Sequence, residues 1–169
     1  AVSDTSATGI SHAAGIVGGP GRDKVTNAET GNISVDATSE IDIGAISLEV
    51  GIANQGVAAG GALSDSEAKA EAYAAGINTG DGKDDIGNHG ALNVGVLSDI
   101  SSASVSVDIQ GTLKQGAVLG ASLSDNSITA ISDAGGINGG ENKDTITNSG
   151  DITITPTADA TAASVSVTG

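Results

Sequence analysis

Residues 18–26 read Gly18-Gly19-Pro20-Gly21-Arg22-Asp23-Lys24-Val25-Thr26. This pattern of glycines, one aspartate and one aliphatic residue occurs three times in the chain. The later copies are Thr79-Gly80-Asp81-Gly82-Lys83-Asp84-Asp85-Ile86-Gly87 and Gly139-Gly140-Glu141-Asn142-Lys143-Asp144-Thr145-Ile146-Thr147. They start at positions 18, 79 and 139, so they are separated by 61 and 60 residues. A nearly fixed period of this length predicts a repeat architecture.

The repeat extends well beyond the nonapeptide. Each nonapeptide is followed by an asparagine, a glycine and two alternating aliphatic runs, and the first copy has two extra residues there, which predicts a loop insertion. The runs are Ile33-Ser34-Val35, Leu92-Asn93-Val94 and Ile152-Thr153-Ile154, then Ile46-Ser47-Leu48, Val105-Ser106-Val107 and Val165-Ser166-Val167. In the third repeat we expect Ile146, Ile152 and Ile154 to point inward, because side chains alternate between the two faces of a strand. We divide the chain into repeats at 1–63, 64–123 and 124–169. The third repeat is incomplete, so we interpret the chain as an excerpt of a longer array.

The composition indicates an all-β solenoid rather than an ordinary globular core. The chain has one Tyr and no Phe, Trp, Met or Cys, whereas a compact core needs aromatic and large aliphatic volume. Small aliphatic residues alternate with Ser and Thr and are interrupted by 26 glycines. This pattern is typical of a thin solenoid in which each coil buries a few aliphatic side chains and stacks on the next.

Glycine spacing predicts the size of one coil. Gly56, Gly76, Gly116 and Gly136 each precede a small or aliphatic residue, and they are separated by multiples of 20 residues. The sequence therefore predicts a right-handed parallel β-helix with about 20 residues per coil and three coils per repeat. Such coils would stack at about 4.8 Å into a rod of roughly 40 Å. One large coil per repeat is the alternative, and it requires long strands that the glycine spacing disfavours.

The charge balance excludes several partners. There are 21 acidic residues against 6 basic ones, which argues against nucleic acid and against anionic membrane surfaces. The same excess favours divalent cations and high solubility. No apolar stretch is long enough to span a bilayer, so we expect no membrane insertion. The absence of cysteine removes disulfides and thiolate metal sites.

The nonapeptide is a candidate calcium turn. Asp23, Asp84 and Asp144 would carry the charge. The glycines would supply carbonyl oxygens and bends: Gly19, Gly21, Gly80, Gly82 and Gly140. A purely structural turn is the competing interpretation, because with three coils per repeat equivalent turns would lie about 14 Å apart, too far to share an ion.

Basic residues beside the aspartates bear on the choice between a calcium turn and a structural turn. Arg22, Lys83 and Lys143 immediately precede the three aspartates, so half of all basic residues occupy one register. Each could neutralise its aspartate in place of a metal or point away from it.

The first nonapeptide resembles that of the RTX (repeats-in-toxin) family, and the Thr-Asn-x-Gly-x-Ile segment resembles coils of β-helical adhesins. The second copy departs from the RTX pattern at Thr79 and the third at Asn142. The resemblance implies secretion to the extracellular space or the bacterial cell surface. It also implies calcium-assisted folding and an adhesive or scaffolding role.

Other candidate sites are weaker. His12 and His89 fall at non-equivalent places in their repeats, so no histidine metal pair is predicted. Tyr73 shares the register of His12 and Asp133, which we interpret as surface variation. No Ser-His-Asp order, phosphate-binding loop or zinc spacing is present, and we predict that the chain is not an enzyme.

Two classes of function follow from the sequence. The first is a structural segment of an adhesin stalk, sheath or filament that self-associates through its solenoid ends or with neighbouring copies, since unpaired strand edges pair with further copies. The second is a calcium-dependent module that binds a cell-surface or carbohydrate ligand. Ice binding would need regular Thr-x-Thr rows, and only two segments have them: 145–147 and 153–155.

Overall fold

The computed structural model describes all 169 residues, which form nine β-strands and no helix. The strands are β1 (Val2–Val17), β2 (Lys24–Asn27), β3 (Asn32–Ala53), β4 (Gly56–Asn78), β5 (Asp85–Asn88), β6 (Ala91–Thr112), β7 (Gly116–Asn138), β8 (Thr145–Asn148) and β9 (Ile152–Thr168). They build three parallel sheets in the orders β1-β4-β7, β2-β5-β8 and β3-β6-β9. The predicted all-β parallel solenoid is therefore confirmed.

Each coil contains one whole repeat. Ser3 pairs with Ser64 and Ser64 pairs with Ser124, so equivalent residues of successive repeats are direct neighbours across the sheet. The coils consist of β1–β3, β4–β6 and β7–β9. The prediction of about 20 residues per coil and a rod of eight coils is wrong. The alternative of one large coil per repeat is the one that the pairing shows.

Glycine spacing gave the wrong coil length because most glycines in this chain lie inside strands. Gly76 is one such residue, in β4, and a Cβ atom there would lie 2.6 Å from the Gly136 carbonyl oxygen and 2.7 Å from Leu92 Cδ1. Only five glycines have a positive φ, and of these only Gly56 lies in a strand, as its first residue. Of the glycines spaced by 20 residues, Gly56 and Gly116 begin strands directly after a turn. Gly76 and Gly136 lie inside strands, where they permit close approach of neighbouring side chains, so the spacing does not mark a corner every 20 residues.

The corners of the coil are short. The three-stranded sheet β2-β5-β8 forms one end of each coil together with the glycine-rich turn before it. At the opposite end, β3 and β4 are joined by only two residues, Asn54 and Gln55. The predicted insertion in the first repeat is confirmed, since four residues separate β2 from β3 but only two separate β5 from β6.

The two long sheets pack face to face. Next to the short sheet, the inner face of β4 consists of small side chains and that of β6 of larger ones; the buried members are Ala68, Ala70, Ala72 and Ala74 against Leu92, Val94, Val96 and Ile100. Gly76 lies against Leu92, whereas the Ser66 hydroxyl donates to the Ala103 carbonyl at 3.4 Å. The strands of the two sheets therefore run in opposite directions across a thin core.

The first alternating run has the predicted orientation. Ile146, Ile152 and Ile154 pair with Ile86, Leu92 and Val94 of the middle coil, which are at most 1% exposed. They lie on the inner face, and they remain partly exposed because the third coil has no neighbour beyond it.

The second alternating run has the opposite orientation to the one expected of core aliphatics. Ile46 and Leu48 are 74% and 60% exposed, whereas Ser47 and Ser106 between the aliphatic residues are buried. The pairing register of β3 with β6 continues through this region without a bulge. The aliphatic residues thus change from the inner to the outer face part-way along the strand. The inner face of the half of the coil near the β3–β4 turn is polar.

Candidate functional site

Three glycine-rich turns stack on one another at the corner of the coil, and we name them the turn column (residues 18–23, 79–84 and 139–144). Gly21 forms a parallel bridge with Gly82, and the Gly21 amide donates to the Asp81 carbonyl at 2.9 Å. The Gly82 amide likewise donates to the Glu141 carbonyl at 3.2 Å. Equivalent turns are therefore separated by one strand spacing, about 4.8 Å, and the predicted distance of about 14 Å is wrong because it assumed three coils per repeat.

Most of the predicted glycine bends are present. Gly19, Gly21, Gly80 and Gly140 have φ values of 102°, 139°, 78° and 77°, in the region that favours glycine. Gly82 has no positive φ, and it is glycine because a Cβ atom would collide with the Gly21 carbonyl oxygen. The third turn carries Asn142 at the position of Gly21 and Gly82, with φ 92°, and asparagine tolerates that conformation.

The three aspartates form a ladder inside the turn column. The Asp23 amide donates to Asp84 Oδ1 at 2.8 Å, and the Asp84 amide donates to Asp144 Oδ1 at 3.0 Å. Asp84 is only 3% exposed. The first glycine of the turn makes room for the carboxylate, since a Cβ atom at Gly18 would lie 2.8 Å from Asp23 Oδ2.

One oxygen of this ladder has no partner in each of two coils. Asp23 Oδ2 and Asp84 Oδ2 are buried and accept no hydrogen bond. An unsatisfied buried polar atom costs about 1–3 kcal/mol, and more when it belongs to a charged group. The column thus concentrates negative charge, and the protein's own donors compensate only part of it.

The neighbouring basic residues do not neutralise this charge. Arg22, Lys83 and Lys143 are exposed and take part in none of the ion pairs, which join Ala1 to Glu49, Lys24 to Asp85 and Lys69 to Glu71. Adjacent residues of an extended chain point to opposite sides, so a buried aspartate places the preceding side chain in solvent. Of the two interpretations of the basic register, the outward one is correct.

The turn column is not a preformed metal cage. No group of three or more His, Cys, Asp or Glu side chains converges as metal ligands anywhere in the chain. Calcium binds six to eight oxygens at about 2.3–2.6 Å, and the ladder contributes carboxylate oxygens arranged in a row. The residues fit a cation in charge and in having unpartnered oxygens, while carbonyl or water oxygens would have to complete the coordination.

An asparagine ladder lies on the far side of the short sheet, and the sequence prediction did not include it. Asn27 Nδ2 donates to Asn88 Oδ1 at 2.8 Å, and Asn88 Nδ2 donates to Asn148 Oδ1 at 2.7 Å. Asn88 is fully buried. The recurrence of an asparagine after every nonapeptide is the sequence signal for this ladder. An asparagine at this position forms a ladder only when successive repeats are adjacent.

The only tyrosine stacks on a histidine at the outer face of the sheet β1-β4-β7. The rings of His12 and Tyr73 are 4.9 Å apart at an angle of 10°, and Asp133 pairs with Tyr73 in the next coil. The Lys69 ammonium lies 2.8 Å from Glu71 Oε1, which lowers the pKa of Glu71 and raises the pKa of Lys69. Loss of solvent raises the pKa of the Tyr73 hydroxyl. The shared register of His12, Tyr73 and Asp133 is confirmed, but their contact was not predicted, because three coils per repeat would have kept them apart.

The pairing register and the two ladders define the class: a parallel β-solenoid with one repeat in each coil. No protein-family model, curated protein or solved structure matches the chain. The structure has no helix that would be long and apolar enough to cross a membrane.

Proposed function

We propose that the chain is a structural segment of an extracellular repeat protein, an adhesin stalk, sheath or filament, whose solenoid ends pair with further copies. The in-register pairing of equivalent residues carries this proposal. Because each coil pairs with a coil of similar sequence, the free edge of the last coil matches the first coil of another copy. The first coil (β1–β3) and the last coil (β7–β9) each have a neighbour on one side only. Their unpaired backbone groups are a template for another strand.

The composition is compatible with an extracellular structural role. A net charge of −15 keeps copies soluble, and the chain contains no cysteine to oxidise. The resemblance of residues 18–26 to the RTX nonapeptide is a further support for placement at a bacterial cell surface.

Pro156 makes the end-to-end proposal testable. The Gly169 amide donates to the Asp108 carbonyl of β6, and the Gly169 and Asp151 carbonyls accept from the amides of Gln110 and Leu92. Odd-numbered residues of β9 therefore pair with β6, and the backbone groups of even-numbered ones face the open edge. Pro156 therefore lies where its missing amide leaves every bond within the chain intact, as is usual for proline in edge strands. A coil that stacks on this edge therefore finds one backbone donor missing, the amide that Pro156 lacks.

Two substitutions should move stacking in opposite directions. Pro156→Val restores the missing donor with the residue that β6 carries at the paired position, Val96, and we expect longer assemblies. Ala160→Pro removes a second edge donor without breaking a bond to β6, and we expect shorter ones. Sedimentation velocity over a concentration series, with electron microscopy of the same samples, measures the length distribution. A wild-type chain that stays monomeric at every concentration, or assemblies that neither substitution alters, would refute end-to-end stacking.

A calcium-dependent adhesive module is the second candidate, and the unpartnered Asp23 and Asp84 oxygens favour it. In this version divalent cations lie along the aspartate ladder between adjacent turns, and they offset the repulsion of the stacked carboxylates. Binding to the folded chain alone would stabilise it by about 2.7 kcal/mol at a calcium concentration 100 times the dissociation constant.

Asp84→Asn is expected to have opposite effects in chelator and in calcium. Without a divalent cation the variant should melt at a higher temperature than wild type, because it removes a buried charge while Oδ1 can still accept the Asp23 amide. With calcium the wild type should gain stability and the variant should not. Thermal unfolding in EDTA and in calcium measures both effects, and Asp65→Asn, an exposed change of equal charge, is the control. A wild-type melting temperature that calcium leaves unchanged rules out this candidate.

A further inference from the structure

The outer face of the sheet β3-β6-β9 carries an uncharged apolar surface near the tight turn that joins β3 to β4. Two rows of paired residues run across the three coils, Ile46 with Val105 and Val165, and Leu48 with Val107 and Val167. We name these six residues the apolar stripe. Ile46 and Leu48 are 74% and 60% exposed, and Val165 and Val167 are each 49% exposed.

The stripe is a property of the repeat and not of one strand. In each coil the aliphatic residues occupy the inner face near the short sheet and change to the outer face toward the tight turn. The polar residues that replace them inside are held by hydrogen bonds: the Ser104 hydroxyl donates to the Ser64 carbonyl at 2.8 Å, and the Ala121 amide donates to Asp108 Oδ2 at 2.6 Å. The inside of this half of the coil is therefore polar, although Ser47 Oγ and Gln110 Oε1 are buried there without a partner. The aliphatic side chains of the same segments lie on the outer face.

The size of the stripe is that of a protein interface. With the flanking Val50, Ile52 and Ile109, which are 57%, 68% and 49% exposed, it presents on the order of 700 Å² of apolar surface. The largest apolar patch of a typical monomer measures about 300–600 Å². Each partner of a standard interface contributes about 800 Å².

The absence of charge around the apolar stripe favours a second copy of this chain as its partner. The acidic outer residues of β3, Asp36, Glu40 and Asp42, all lie on the side of the stripe toward the short sheet. Beyond them no outer residue of this sheet is charged, so two chains of net charge −15 can approach each other here without opposing carboxylates. The opposite face of the solenoid differs, because Asp65 lies beside Leu63 there and pairs with Asp4 and Asp125.

We propose that the apolar stripe binds the apolar stripe of a second copy, so that two solenoids associate side by side. Flat rows at the strand spacing of about 4.8 Å fit an identical surface, and two sheets pack at about 10 Å when their aliphatic side chains interdigitate. A two-fold axis through the stripe makes the contact self-complementary. This lateral contact is independent of stacking at the solenoid ends and goes beyond the function proposed above.

Cysteine cross-linking tests the proposal, since the chain has no cysteine of its own. Val107 lies on the middle strand and in the second row of the stripe, near the expected axis. The full-length Val107→Cys variant should form a covalent dimer on mild oxidation. Leu63→Cys, at an outward and 47% exposed position of the middle coil on the opposite face, is the control and should give at least tenfold less dimer. Adding Leu48→Thr and Val165→Thr to Val107→Cys should abolish the cross-link with an unchanged circular dichroism spectrum.

A further variant separates lateral association from end stacking. Val107→Cys combined with Ala160→Pro should cross-link as before, even where the assemblies become shorter. Absence of the dimer, equal cross-linking of Leu63→Cys, or cross-linking that survives the two threonine substitutions would overturn the proposal. Flotation of Val107→Cys with zwitterionic lipid vesicles in place of dimer formation would also overturn it, and would assign the stripe to a lipid surface.

Discussion

Ala72→Leu is expected to lower the free energy of unfolding by about 3 kcal/mol, at the upper end of the usual cost of overpacking a core. Ala72 is fully buried in the core next to the short sheet, where small residues of β4 face larger residues of β6. It packs in one cluster with Val94 and Val96 of β6, so the added carbons of a leucine have no free space. Urea denaturation followed by circular dichroism measures the loss.

Ala59→Leu is the matched control for the overpacking experiment. Ala59 lies on the same strand but is exposed, and its neighbour in the next coil is already a leucine, Leu119. We expect a change within about 0.5 kcal/mol, as for other surface substitutions. Equal effects of the two substitutions would mean that the inner face of β4 is not the face that packs against β6.

Asn88→Ala is expected to cost about 2–4 kcal/mol, because it leaves partners of two hydrogen bonds unsatisfied. Asn88 is the middle rung of the asparagine ladder: it accepts from Asn27 and donates to Asn148, and it is fully buried. The loss should appear as a lower urea midpoint with an unchanged slope.

Asn93→Ala controls for the loss of an asparagine between coils. Asn93 Nδ2 donates to Asn32 Oδ1 at 3.2 Å, so it makes the same kind of bond between the same two coils, but on the exposed face. We expect a loss below about 0.5 kcal/mol. If Asn88→Ala were as mild as this control, the ladder would not hold the coils together.

The sequence was sufficient to predict an all-β parallel solenoid and to identify the equivalent residues of the three repeats. Repetition of the nonapeptide located all three turns and put His12, Tyr73 and Asp133 at equivalent positions, which the pairing register confirms. Alternation correctly assigned Ile152 and Ile154 to the inner face. These features depend on which residues are equivalent, and a repeat reveals equivalence directly.

The length of the coil could not be obtained in the same way. A glycine in sequence is compatible with a turn and with close packing, and only its φ angle and surroundings distinguish them. Gly76 has extended backbone and lies against Leu92, so its spacing from Gly56 does not mark a coil corner.

The error in coil length hid the candidate site. Contacts between Asp23 and Asp84, or between Asn27 and Asn88, exist only because successive repeats are adjacent. Three coils per repeat would have separated them by about 14 Å. The outward turn of Ile46 and Leu48 was missed for another reason: alternation gives two faces but does not say which one is inside.

The adjacency of successive repeats is the central claim, and the rings of His12 and Tyr73 report on it directly. Tyr73 is the only tyrosine and the chain has two histidines, so their ring protons can be assigned with two substitutions. We predict strong nuclear Overhauser cross-peaks between the Tyr73 and His12 rings, whose centroids are 4.9 Å apart. Cross-peaks from Tyr73 to Ala53 and Asn93, its neighbours at a period of about 20 residues, with none to His12, would contradict a coil that contains one whole repeat.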